Sequence, residues 1–318
     1  MLWGVLGSLA LYVFAVLLVY HLLTKVYARC SAHPEDVDNT PAYFLREGFD
    51  TQPFRIQQYE EVRFSSREQG INLSAWYIPV TTPDAPAIII THGIQDCKRR
   101  PFVLAAAGML HRHGFHVLAI DLRNHGDSDA PDGRQSAGTR EYLDVLGAWD
   151  WLIAEKNIQP NKIGLMGFSF GAACSNIAFG MEPRVAAVWS DSSWSTLESI
   201  VKAELKRVHV PTWVGNGALW FARHIARRDI TAISPADALS HHANRPVFIV
   251  HGDADERVPY VCAYEIADVI QRSGGSVQPW IVHGSAHIEA IWDDTKVYEQ
   301  NLVNFFRMAL CPALEQGN

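Results

Sequence analysis

The apolar positions of this chain fall into three regimes. Residues 2–23 contain no Asp, Glu, Lys or Arg. At ~1.5 Å rise per residue a helix over that stretch is about 33 Å long, enough to cross a ~30 Å hydrocarbon core. From residue 25 to 53 the pattern is broken by Pro34, Asp36, Asp38, Asn39, Pro41, Gly48 and Pro53, which predicts a linker leading away from a bilayer. Beyond it, short β-branched runs alternate with helical spacings. Residues 60–65 and 71–80 predict an antiparallel pair, with Trp76, Ile78 and Val80 on one face by the period of two. Residues 87–91, 117–120, 163–166, 185–189 and 247–250 are continuous apolar runs, the pattern of central strands covered on both faces. Helices are predicted over 103–113, 139–156, 171–181 and 261–272, the first ending at Gly114 and the last near Gly274. Such alternation predicts an α/β fold with right-handed crossovers onto a mostly parallel sheet. Ligands of such sheets bind beyond the carboxyl ends of the strands.

Composition narrows the class. There are 27 Lys+Arg against 34 Asp+Glu, a formal net charge of -7, so no basic surplus exists for a nucleic-acid partner. With 48% hydrophobic and 19% charged residues the chain buries a sizeable core, which excludes disorder as the main architecture. The apolar N-terminus competes between a retained anchor and a cleaved signal peptide. A signal peptide carries cations before its apolar run and small residues after it. Here the first cation is Lys25, and Arg29 precedes Cys30 where a lipoprotein site needs a small residue. The reading is therefore a single-pass transmembrane anchor over 1–24, a linker over 25–53 and one catalytic domain over 54–318. Lys25 and Arg29 following the run place that domain in the cytoplasm by the positive-inside bias. The 5 cysteines are scattered; taken as unpaired, they agree with a reducing compartment.

Candidate chemistry stands at strand ends. Gly167-Phe168-Ser169-Phe170-Gly171 closes the run 163–166 and is followed by Ala172 and Ala173. A strand-to-helix turn this sharp needs small neighbours and holds the serine strained, its hydroxyl at the head of a helix. His251-Gly252-Asp253-Ala254-Asp255 follows the run 247–250, and Gly284-Ser285-Ala286-His287 follows an apolar run at 279–282. The chain order Ser, Asp, His is that of a nucleophile-elbow enzyme.

On these residues the chain resembles the α/β-hydrolase superfamily, and it is most similar to the branch labelled serine aminopeptidase-like. The resemblance runs over about residues 54–310. It includes Thr91-His92-Gly93-Ile94 and Asp121-Leu122-Arg123-Asn124-His125-Gly126-Asp127-Ser128, with Asn124 where the family pattern has glycine. It implies an eight-stranded mostly parallel sheet with helices on both faces and a helical cap after strand six, expected here at 193–242. It also implies Ser169 as nucleophile, His287 as general base and acid, and Asp255 as its orienting carboxylate. The backbone N–H groups of Ile94 and Phe170 are the implied oxyanion hole. No cofactor and no metal are expected.

Several residues have plainer readings. Asp191, at the end of the run 185–189, is the rival acid; Asp253 reads as a loop-capping carboxylate. His92 and His125 read as braces for their loops. His111, His113 and His116 read as surface or core histidines rather than metal ligands. The cap holds Trp194, Trp213, Trp220 and Phe221 among Lys202, Lys206, Arg207, Arg223, Arg227 and Arg228. Its aromatics either line an acyl pocket or pack the cap onto the sheet, and its cations meet lipid headgroups or solvent. The first functional expectation is a membrane-tethered serine hydrolase (carboxylesterase, lipase or thioesterase-like) cleaving acyl or lipid-like esters or thioesters through an acyl-enzyme. The alternatives are a peptidase or amidase of the same fold, and a non-catalytic membrane-anchored binding protein.

Overall fold

A computed structural model describes residues 2–30, 36 and 38–311, without the side chains of 2 and 4. Pro34 of the expected linker and residues 312–318 of the expected catalytic domain lie outside the described residues. The sheet has eight strands: β1 (Glu60–Ser65), β2 (Asn72–Ile78), β3 (Ala87–Thr91), β4 (His116–Ile120), β5 (Ile163–Phe168), β6 (Ala187–Asp191), β7 (Val247–Gly252) and β8 (Trp280–Val282). Their spatial order is β1-β2-β4-β3-β5-β6-β7-β8. β2 runs antiparallel to β1 and β4, and every other pairing is parallel. This is the α/β-hydrolase fold.

The helices are α1 (Leu2–Thr24), α2 (Pro101–Arg112), α3 (Tyr142–Lys156), α4 (Phe170–Met181), α5 (Leu197–Arg207), α6 (Thr212–His224), α7 (Pro235–Leu239), α8 (Val261–Arg272), α9 (Ala290–Asp293) and α10 (Thr295–Leu310). The central strands have no solvent side: β3, β4, β5 and β6 are buried at every position. One core layer packs α3, α4 and α8 side chains such as Trp149, Phe179 and Ile266 on the sheet. The other packs α2 and α10 around Trp76, Trp189, Tyr298 and Phe306. Truncating a buried aromatic of this kind costs about 3–5 kcal/mol. Between β6 and β7 the chain leaves the sheet to build α5, α6 and α7, the cap.

α1 is long and apolar enough to cross a membrane. Two expectations about the neighbouring segment change. The stretch after α1 is not a free spacer. Val26 N–H donates to Gly133 O at 3.0 Å, Tyr27 and Ala28 N–H donate to Gln95 Oε1 at 2.6 and 2.8 Å, and Phe44 is fully buried. The second correction concerns the cysteines read as unpaired. Cys30 is bonded to Cys97 across 67 residues, their Cα atoms 4.6 Å apart, while Cys174, Cys262 and Cys311 are free. The docking of residues 25–30 beside the loop after β3 brings the two sulfurs together, which spacing in the sequence does not reveal. Lys98 extends the same loop's bracing: its N–H donates to Asp121 Oδ1 at 2.7 Å and its buried ammonium donates to Asp127 at 2.7 Å.

Candidate active site

Ser169 stands between β5 and α4 with φ 53° and ψ -114°. That left-handed conformation is costly for a residue with a Cβ and is held by its surroundings. One support is Ser169 N–H donating to Asp191 O at 2.8 Å. Another is glycine at 171: a Cβ there would overlap the carbonyls of Thr91 and His92, so α4 can pass this close to the end of β3 only without a side chain.

The loops after β7 and β8 deliver the other two groups. His287 Nε2 lies 2.9 Å from Ser169 Oγ, and His287 Nδ1 lies 2.6 Å from Asp255 Oδ2. Asp255 Oδ1 accepts the N–H groups of Arg257 and Val258 at 2.9 and 2.8 Å, which fixes the carboxylate plane. Burial alone would raise the Asp255 carboxyl, but the neighbouring imidazoles of His251 and His287 hold it well below the usual range. An ionised Asp255 selects the His287 tautomer that carries its proton on Nδ1, leaving Nε2 free to accept from the serine.

The structure thus brings Ser169, Asp255 and His287 together and sends the rival acid elsewhere. Asp191 is fully buried and accepts from Tyr298 Oη at 2.6 Å and from Ser192 Oγ at 2.8 Å. Burial pushes its carboxyl upward. Asp253 caps its loop, accepting from Gly284 N–H at 2.6 Å and meeting His283 Nδ1 at 2.7 Å. His92 accepts Leu122 N–H at 3.1 Å and His125 accepts Gln95 N–H at 3.3 Å, each bracing a loop. Burial drives the His125 imidazole down to about 3, which keeps it neutral. His111, His113 and His116 face separate partners: Pro79 O, Glu299 and Tyr77 Oη.

The loop after β3 passes over the serine. A Cβ built on Gly93 would stand 3.8 Å from Ser169 Cβ. Among the described residues neither Phe170 N–H, at the first turn of α4, nor Ile94 N–H donates to a backbone acceptor. Trp194 stacks on Phe170 with centroids 6.2 Å apart. Of the other cap aromatics, Trp213 and Phe221 lie against Tyr12 and Tyr20 of α1, and Trp220 against His224.

Two residues at the site escape motif reading. His251 is fully buried, its Nε2 3.2 Å from Asp255 Oδ2 and 2.9 Å from Val258 O; the signal was the histidine that opens the His-Gly-Asp run. Asp96 reaches in beside the serine: the same Cβ on Gly93 would stand 2.8 Å from Asp96 Oδ2. Asp96 pairs with Arg100 Nε at 3.0 Å, and burial raises its carboxyl. Its place two residues after Ile94 was the only hint.

Comparison with known proteins gives the chain its relatives. An uncharacterized protein of Mycobacterium tuberculosis is 27% identical over 193 residues, covering 60% of this chain and 60% of that protein. The acyltransferase drtE of Aspergillus calidoustus is 28% identical over 153 residues, 48% of this chain and 49% of its own. The chain therefore spans at most 60% of the length of these relatives. An esterase of Pyrococcus furiosus shares the fold with a TM-score of 0.66 at 19% identity, over 84% of this chain and 96% of its own. The profile of the Prolyl oligopeptidase family matches residues 102–310, the stretch that carries Ser169, Asp255 and His287, and the chain belongs to that family.

Proposed function

We propose that this protein is a membrane-anchored serine hydrolase of acyl esters or thioesters, with Ser169, His287 and Asp255 as its triad. The observation that carries the reading is the continuous chain of contacts from Ser169 Oγ to His287 Nε2 at 2.9 Å and from His287 Nδ1 to Asp255 at 2.6 Å. Ser169 Oγ attacks the carbonyl carbon as its proton passes to His287 Nε2. The oxyanion of the tetrahedral adduct takes the N–H groups of Ile94 and Phe170, each worth about 3–4 kcal/mol in such sites. Collapse expels the alcohol or thiol, which leaves with the proton held by His287. Water then attacks the acyl-enzyme by the same route, returning the acid and free Ser169.

Esters and thioesters suit this centre better than amides because their leaving groups need less help from the imidazolium. The relative drtE is an acyltransferase by name, which supports acyl chemistry here. A fluorophosphonate probe tests the reading: the parent labels at Ser169 and Ser169→Ala does not, with turnover falling in parallel. A panel of ester, thioester and amide substrates then ranks the leaving groups, and faster turnover of aminoacyl amides would move the assignment to a peptidase.

The proposed organisation keeps an anchor over 1–24 and a catalytic domain over 54–318, with the cap at 193–242. The sidedness changes. Lys25 and Arg29 give only a small cytoplasmic bias, whereas a bond between Cys30 and Cys97 fits a compartment that does not reduce thiols. The proposal is a catalytic domain on the oxidising side of the membrane.

A further inference from the structure

The anchor helix and the cap run side by side. The Tyr12 ring lies 5.1 Å from that of Trp213, and the Tyr20 ring 5.0 Å from that of Phe221. From Tyr12 to Tyr20 and from Trp213 to Phe221 the step along the chain is the same, so α1 and α6 are parallel and in register. Midway, Gly217 admits α1: a Cβ there would overlap the Tyr12 hydroxyl and stand 2.7 Å from Val16 Cγ2. Small residues at such crossings are what lets helices approach closely within a bilayer. The same stripe of α1, through Val19, Tyr20 and Leu23, completes the cap's own apolar cluster of Leu197, Val201, Leu205, Ala222 and Ile230.

Apolar side chains at and beside this seam also stand open. Phe14, Leu18 and Leu22 of α1 are exposed, and so are Trp213 and Trp220 of α6, at 56% and 58%. Thr212 to Ala222 holds no charged residue. Cations begin at one shared end, with Arg223 near the close of α6, Arg227 and Arg228 beyond it, and Lys25 just past α1; of these Arg223 pairs with Asp229 at 3.2 Å and Arg228 with Asp132. Uncharged helix, exposed tryptophan and a cationic end are the signature of an element lying in a membrane leaflet. At the other end of the cap, Lys206 and Arg207 carry long stems whose heads can reach the headgroup layer.

We propose that α6 of the cap is itself a membrane-contacting helix, and that the occupant of the joint α1–α6 face is the lipid bilayer. The inference deepens the proposed function and rests on its reading of α1 as a membrane helix. It makes a leaflet-borne acyl lipid the substrate class that meets the cap first. The cap's position over Ser169 then depends on the membrane through Tyr12, Val16 and Tyr20.

The test uses the full chain in phosphatidylcholine vesicles with and without brominated acyl chains, which quench tryptophan on contact. Trp213→Phe/Trp220→Phe keeps the apolar face and removes the two reporters. The expected result is that the parent loses substantially more emission to brominated lipid than the double variant, which keeps only the quenching of Trp3 on α1. Equal quenching of parent and double variant overturns the α6 inference and leaves the anchor intact. No quenching in either overturns both the inference and the anchor, while fluorophosphonate labelling reads the hydrolase assignment separately.

Discussion

His251 points Nε2 at Asp255 Oδ2 from 3.2 Å, the same carboxylate oxygen that meets His287 Nδ1 at 2.6 Å. Its Nδ1 has no protein partner among the described residues, so the imidazole is held as a buried donor on one side only. The Nε2 proton is directed to Val258 O at 2.9 Å, and Val258 N–H in turn donates to Asp255 Oδ1 at 2.8 Å, so His251 is expected to position the carboxylate by bracing its loop.

Replacing that donor has a readable cost. A hydrogen bond between uncharged groups is worth about 0.5–1.5 kcal/mol, or roughly 2- to 10-fold in rate. His251→Leu is expected to lose kcat in that range with KM little changed. His251→Gln, which keeps an N–H, restores most of the loss. Parent-like kcat in the Leu variant would show that the contact is only packing.

The two acids at the site separate by the same kinetics. Asp255→Asn leaves an amide that favours the wrong imidazole tautomer and is expected to cut kcat by about 10⁴. Asp191→Asn disturbs the bond from Tyr298 at 2.6 Å and is expected to lower stability by about 1–3 kcal/mol, with kcat per folded molecule retained. Steady-state rates beside urea midpoints distinguish the two, and the reverse pattern would make Asp191 the acid.

Much of this arrangement is legible in the sequence because its strands are covered on both faces. Runs such as Ala87–Thr91 and Ile163–Phe168 have no polar side to blur them; Ser169 stands just beyond such a run, while Asp255 and His287 follow the less buried β7 and β8. α10 is within reach of the same argument, its Tyr298, Leu302, Phe306 and Leu310 recurring every four residues. The docking of residues 25–30 is not legible, since it rests on backbone N–H groups meeting Gln95, which leaves no hydrophobic period. The Cys30–Cys97 pair depends on that docking and is hidden with it. The in-step contact of α1 with α6 is hidden for a related reason, because an evenly apolar helix does not reveal which face is taken.

Acid sensitivity has a local source in Glu182. Hydrogen bonds from Arg184 and Arg67 hold its carboxyl at about 2, against an ordinary 4.5. A depressed carboxyl stabilises the fold above its unfolded value, and that contribution is lost as pH falls from 4.5 toward 2. Glu182→Gln is therefore expected to be less stable than the parent at pH 7 and nearly equal to it at pH 2. Urea midpoints across that interval check the sign, and a difference that stays constant with pH would remove Glu182 from the account.

Sidedness turns on the clasp between the juxtamembrane segment and the loop that carries Ile94. Cys97 stands three residues beyond Ile94, and its bond to Cys30 ties that loop to the chain as it leaves α1. In a reducing compartment the two thiols separate, whereas on an oxidising face the bond persists and restrains the loop. Blocking free thiols before lysis, then digesting without reductant, is expected to yield one peptide pair joining Cys30 to Cys97. Protease added to intact cells or sealed vesicles of known orientation is expected to cut the catalytic domain from the oxidising side. Recovery of both cysteines as blocked thiols, with the domain protected from external protease, would return it to the cytoplasm and restore the bias set by Lys25 and Arg29.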